Sequence, residues 1–169
     1  MSAIRIEERG DEEAVRRVNL AAFNNGPEAA LVDKLRATCG DCLSFVAVDG
    51  ECVIGHILFT QVSLDGLDEV GMGLAPMAVL PAHQGLGIGS ELVRHGLDYL
   101  HRSGCPFVVV LGHAEYYPRF GFQRASKYRV RSQWEGVPDD AFMVIVFDEE
   151  AIPENGAVAR YREEFDEAL

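Results

Sequence analysis

The stretch Val79-Leu80-Pro81-Ala82-His83-Gln84-Gly85-Leu86-Gly87-Ile88-Gly89-Ser90 carries the end of an apolar strand through a glycine-rich turn and into an amphipathic helix. Glycines at alternate positions let the backbone approach a ligand closely, and the first N–H groups of the following helix have no intrahelical acceptors. Such a turn suits an anion. Roughly half a positive charge from the macrodipole gathers at a helix N-terminus, so a pyrophosphate can rest there without a lysine.

Two look-alike motifs fail on spacing. The dinucleotide fingerprint Gly-x-Gly-x-x-Gly meets Ser90 at its sixth position when counted from Gly85, and Leu92 when counted from Gly87. A P-loop needs Gly-Lys-Ser/Thr, but Ser90-Glu91 follows Gly89, leaving no lysine for terminal phosphates.

Downstream of the turn, Ile88, Leu92, Val93, Gly96, Leu97 and Leu100 form one helical stripe, and Gly104 with Pro106 stops the helix. The fully apolar run Phe107–Leu111 then predicts a buried strand, parallel to the one before the turn because a helical crossover joins them. A short helical segment follows at residues 115–120, with extended segments at 123–128 and 141–147 and a polar tail anchored by Tyr161 and Phe165.

Upstream, residues 4–7 alternate as a strand, and Gly10-Asp11-Glu12-Glu13 opens a helix with Val15, Val18 and Ala22 on one face. Asn24-Asn25-Gly26-Pro27 breaks it. A second helix from 28 to about 37 points Ala30, Leu31 and Leu35 inward. Strands at 43–48 and 52–63 join through Asp49-Gly50, a hairpin signal, and Asp65-Gly66 turns the chain into a strand from about Glu69 to Val79. The fold class is therefore a mixed α/β sheet, mostly antiparallel, with one strand-loop-helix-strand unit at its centre and helices flanking it.

At 169 residues, with 48% hydrophobic and 25% charged content, the chain suits a single soluble domain spanning residues 1–169. Its longest apolar runs fall far short of the ~20 residues that span a bilayer, and no apolar secretory core opens it, so a cytoplasmic location is expected. A net charge of −12 argues against nucleic acid and suits either a cationic partner or simple solubility. The basic residues Arg94, Arg124, Lys127, Arg129 and Arg131 could add positive charge near an anion, and the last three would alternate on one strand face. Cys39-x-x-Cys42, with Cys52 and His56 beyond it, raises zinc or redox chemistry. The redox motif needs a strand before it and a helix after, whereas here the order is reversed, so free thiols and no metal are expected.

Gln84-x-x-Gly87-x-Gly89 after a strand and a proline resembles the acyl-CoA pyrophosphate loop of the GNAT superfamily of N-acetyltransferases, and Tyr116-Tyr117-Pro118-Arg119-Phe120-Gly121-Phe122 is similar to its Tyr-x-x-x-Gly-Phe element. Ala22-Phe23, the run Leu111-Gly112-His113 leading into that element, and Tyr161 with Phe165 resemble the YhbS-type branch. The resemblance implies acetyl-CoA as cosubstrate and a primary amine, on a small molecule or a protein, as acceptor. The net charge and the short apolar runs, rather than the resemblance, lead to the expectation of no nucleic acid and no membrane as partners, and a homodimer stays open. The resemblance places the pyrophosphate on Gln84, Gly85, Leu86, Gly87, Ile88, Gly89 and Ser90. The pantetheine arm would lie along Met77, Ala78 and Val79, in a gap between residues 77–79 and 107–113 where two strands part.

Amide formation from a thioester needs a placed amine, a stabilised oxyanion and a proton for the leaving thiolate. Tyr117, four residues before Gly121, has the spacing of the family's tyrosine acid; Tyr116 is its rival by one residue of register. A backbone N–H near Ala78 or Val79 would face the thioester oxygen. His113, Glu115 and Glu69 are open candidates for a base. The competing function is a non-catalytic acyl-CoA-binding sensor with the same cradle. Pro118 is compatible with the tyrosine segment only in a short helix or its first turn.

Overall fold

The computed structural model describes residues 2–65, 67 and 70–167, with the main chain alone at Glu167. Its chain divides into two compact units, one of residues 1–59, 75–96 and 163–169, the other of residues 60–74 and 97–162. Gly66 and Glu69, both named above, lie outside the described residues.

In the first unit, β1 (Ser2–Ile6), β2 (Leu43–Asp49) and the first part of β3 (Cys52–Leu64) form an antiparallel meander. Ser2 pairs with Asp49 through to Ile6 with Phe45, and Leu43 pairs with Phe59 through to Asp49 with Cys52. Gly50, at φ +64, takes the left-handed turn that the Asp49-Gly50 signal requires. Side chains alternate across this sheet, so consecutive residues address different helices. Phe45 meets His95 of α3 (Ile88–Arg102) edge-on at 5.0 Å. A Cβ on Gly55 would lie 3.1 Å from Leu92 Cδ1 and 3.3 Å from Ile88 Cγ2 of the same helix. One residue out of phase, Ser44 and His56 serve the opposite face, where Asn19 of α1 (Glu12–Ala22) reaches His56.

Helix α1 buries Val15 and Val18, while α2 (Glu28–Thr38) buries Ala29, Leu31, Val32 and Leu35. The expected Ala30 is exposed instead. Asn24 and Asn25 adopt φ of +51 and +60, the left-handed backbone asparagine tolerates, and this separates the two helices.

In the second unit, the start of β4 (Val70–Val79) runs parallel to β5 (Phe107–Leu111), Met72 against Val108 to Leu74 against Val110, as the apolar run and the crossover predict. β8 (Phe142–Val146) pairs antiparallel with β5 and with the two-residue β6 (Gln123–Arg124). β7 (Val130–Ser132) lies parallel to β9 (Ala157–Arg160), which also pairs antiparallel with the end of β3. The strand order is β1-β2-β3-β4-β5-β8-β6, so the sheet is open and mostly antiparallel, as expected.

Two further expectations need correction here. Residues 125–128 wind into a 3-10 turn rather than continuing the strand, so Lys127, Arg129 and Arg131 do not share a strand face. Arg129 sits at φ +60, between that turn and β7. The tail also contributes β9, with Tyr161 and Phe165 buried after it. No helix among the described residues is long and apolar enough to cross a membrane.

Candidate functional site

The glycine turn belongs to the first unit. Leu80 N–H donates to Ile54 O at 2.8 Å, pinning the end of β4 to β3, and a 3-10 turn at Pro81–His83 leads into the loop. Gln84 folds back so that Nε2 donates to Val79 O at 2.9 Å, while its main-chain N–H reaches Pro81 O at 3.3 Å. Gln84 therefore braces the turn. Gly85 and Gly87 follow at φ +79 and +85, conformations that side chains with a Cβ rarely adopt.

A Cβ on either glycine would meet nothing within 4 Å. Leu86 between them is 70% exposed. Gly87 O accepts the first helical bond of α3 from Glu91 N–H at 3.0 Å, so Ile88, Gly89 and Ser90 form the first turn, with Ile88 buried as its anchor. Their amide hydrogens head away from the helix body. The result is an exposed turn, free of side-chain bulk, with backbone donors at a helix N-terminus, and its open face and sign fit a pyrophosphate. Met77 is half-buried at the end of β4, and Ala78 and Val79 are buried there.

Tyr117 belongs to the second unit. It opens a four-residue 3-10 turn, Tyr117–Phe120, in which Pro118 takes the second position, where its missing N–H costs nothing. Gly121, at φ +103, closes the turn with its N–H on Pro118 O at 3.0 Å. Tyr117 is buried, edge-on to Tyr116 at 5.1 Å and to Phe122 at 5.7 Å. Burial, with a smaller contribution from Tyr116, pushes its phenol up to about 12. Tyr116 is half-buried with the Arg119 guanidinium 4.6 Å from its ring centroid. His113 and Glu115 are exposed.

Two features escape a reading of motifs. A Cβ on Gly112 would lie 2.5 Å from Tyr117 Cε2, so this glycine is what admits the tyrosine ring. Likewise a Cβ on Gly73 would fall 2.8 Å from Tyr161 Cε2, and burial together with the nearby Tyr117 raises the Tyr161 phenol. A glycine directly after an apolar strand was the available signal for the first; nothing local marks the second.

The cysteine pattern resolves differently from expectation. Cys39 and Cys42 form a disulfide rather than two thiols, while Cys52 and Cys105 are free. His56 is fully buried and bonded to Asn19 and Ser44. Among the described residues, no group of three or more His, Cys, Asp or Glu side chains is arranged to hold a metal.

Residues 12–122 match the acetyltransferase (GNAT) family. The chain is 35% identical to the uncharacterised N-acetyltransferase YhbS of Escherichia coli over 96% of its length and 97% of that protein's. It is 42% identical to the uncharacterised E. coli N-acetyltransferase YjhQ over 70% of this chain and 67% of the relative. The crystal structure of YhbS in complex with CoA superposes with a TM-score of 0.87, covering 98% of this chain and 92% of that one. A GNAT acetyltransferase from Brucella melitensis in complex with acetyl-CoA gives 0.81 at 35% identity, covering 98% and 99%. This chain belongs to the GNAT family of acetyltransferases.

Proposed function

We propose that the protein is an N-acetyltransferase that moves an acetyl group from acetyl-CoA to a primary amine by direct attack while both substrates are bound. The observation that carries this reading is the open cradle at Gly85 and Gly87 above the N-terminus of α3, in a chain whose relatives crystallise with CoA and acetyl-CoA.

Backbone amides of Gly85, Leu86, Gly87, Ile88 and Gly89, with Ser90 in the same helical turn, hold the pyrophosphate, and Gln84 contributes by bracing the turn through Val79. Met77 and Val79 pair with the pantetheine amides as an added strand would, and a main-chain N–H at Ala78 or Val79 polarises the thioester oxygen. The neutral amine attacks the acyl carbon, the C–S bond breaks, and the amine's proton leaves to solvent or a base. Tyr117 donates a hydrogen bond to the departing sulfur.

The buried environment of Tyr117 sharpens that last role. A phenol at about 12 keeps its proton throughout the neutral range. Against a thiol near about 8.5, full transfer would run uphill, so the phenol stabilises the thiolate while largely retaining its hydrogen. The sensor alternative would need no such group.

The test is an acetyl-CoA-dependent thiol-release screen across polyamines, aminoglycosides, amino acids and peptide N-termini. An acceptor that releases thiol in proportion to acetylated product supports the enzyme. Tight acetyl-CoA binding without turnover on any amine class would favour the sensor.

A further inference from the structure

The first unit contains a concavity of ≈ 240 Å³, lined by Glu7, Arg36, Ser44 and apolar side chains, with Cys39 and Cys42 in its wall. It is set apart from the glycine turn. Ser44 stands opposite Leu58 of β3, whereas the turn is tied to Ile54, four residues and about 13 Å back along the same strand.

The polar lining is ordered from the inside outward. Asn19 Nδ2 donates to Val15 O at 3.0 Å and approaches His56 Nδ1 at 3.0 Å, which makes Nδ1 the acceptor. His56 Nε2–H then donates to Ser44 Oγ at 2.9 Å, and the Ser44 hydroxyl donates to Glu7 Oε1 at 2.7 Å. Glu7 is clasped by the Arg36 guanidinium through both oxygens. In that pair the carboxylate side chain is 8% exposed and the guanidinium 33%, so the cation is the partner at the mouth.

Cys39, a half-buried residue, lies one helical turn beyond Arg36, at the end of α2, and its sulfur joins that of Cys42 across the exposed Gly40-Asp41. So short a loop gains little chain entropy from cross-linking, which is a weak reason for a structural brace. A disulfide walling an open pocket beside a cation is instead placed for exchange.

We infer that Cys39–Cys42 is a thiol–disulfide exchange site whose partner is a low-molecular-mass thiol entering this pocket. The thiolate attacks Cys42 Sγ, the Cys39–Cys42 bond breaks as the mixed disulfide forms, and Cys39 leaves as a thiolate beside Arg36. The guanidinium offsets the unfavourable C-terminal dipole of α2 at that position. A second thiol attacks the mixed disulfide, giving the small disulfide and the protein dithiol; two electrons pass from two thiols to the protein.

Glutathione at graded reduced-to-oxidised ratios is the probe, applied to the folded full chain. Quenching with an alkylating agent and intact-mass analysis count the thiols. On a Cys52→Ser background, which removes the exposed free thiol, one alkylated cysteine, Cys105, is expected under oxidising ratios, and three under reducing ratios with circular dichroism unchanged. With Cys42→Ser added, exposure to glutathione disulfide should place a glutathionyl group on Cys39, several-fold more slowly when Arg36→Gln is also present. Three reactive thiols at every ratio would overturn the proposal. So would a bond that yields to glutathione only after denaturation, or an adduct rate indifferent to Arg36→Gln.

Discussion

Replacing Gly112 with alanine adds one methyl group where the Tyr117 ring now lies. The new Cβ would stand 2.5 Å from Cε2, 3.2 Å from Cδ2 and 3.5 Å from Cζ, against about 3.5–4.0 Å for ordinary carbon contacts. The ring must retreat by about 1 Å. Tyr116 and Phe122 hold two other sides of it, so the retreat carries the hydroxyl along. Alanine keeps the main-chain bond from residue 112 to Ala141 O, 2.9 Å in the native chain, so the perturbation stays local. Misplacing a reacting group by this much costs up to about 10²-fold in rate, and overpacking costs about 1–3 kcal/mol of stability. Steady-state kinetics at saturating acetyl-CoA, with an acceptor from the screen and a melting curve alongside, should show kcat falling while acetyl-CoA affinity holds. On a Tyr117→Phe background the kcat penalty should vanish, because the group being displaced no longer contributes. A folded Gly112→Ala protein with native kcat would refute the role given to the Tyr117 hydroxyl.

Tyr117→Phe itself should lower kcat by about 10- to 10²-fold, the value of a hydrogen bond to a developing charge, and Tyr116→Phe far less. A loss confined to Tyr116→Phe would shift the assignment by one residue. His56 is held neutral in the fold, its pKa lowered to about 3 by burial and, secondarily, by the Arg36 charge. The unfolded chain, near 6.5, therefore binds a proton that the native state refuses between those values, and stability falls as pH drops through that window, by at most about 1.4 kcal/mol per pH unit. Urea unfolding at pH 8, 6, 5 and 4 should show native stability declining faster than that of His56→Gln; parallel declines would contradict the linkage.

The parts of the fold that sequence made legible are those where one local rule has no competitor. The run Phe107–Leu111 is apolar at every position and follows a helix stopped by Gly104, so a buried parallel strand was the consistent reading. Pro118 likewise limited the tyrosine segment to a short turn. β9 was hidden because Ala157-Val158-Ala159 is too short to signal a strand; it exists by pairing with β3 and β7, both distant in sequence. The alternation of Lys127, Arg129 and Arg131 reads as one strand face, whereas the 3-10 turn at 125–128 and Arg129 at φ +60 break the extended run. In the candidate site, the glycine turn was readable because backbone geometry is written in glycines. The bracing by Gln84, the room left by Gly112 and, away from that site, the hydrogen-bonded chain from buried Asn19 out to Arg36 depend on side chains that meet only after folding.

Calorimetric titration of acetyl-CoA into the native chain and into Gly87→Val tests the account at its centre. The cradle depends on a residue at φ +85 and on open space where a side chain would begin. The native chain should bind acetyl-CoA and CoA but not NAD, and the folded variant, checked by circular dichroism, should bind acetyl-CoA much more weakly. Absence of acetyl-CoA binding in the native chain, or native affinity in a folded Gly87→Val protein, would contradict the assignment of this turn as the pyrophosphate site.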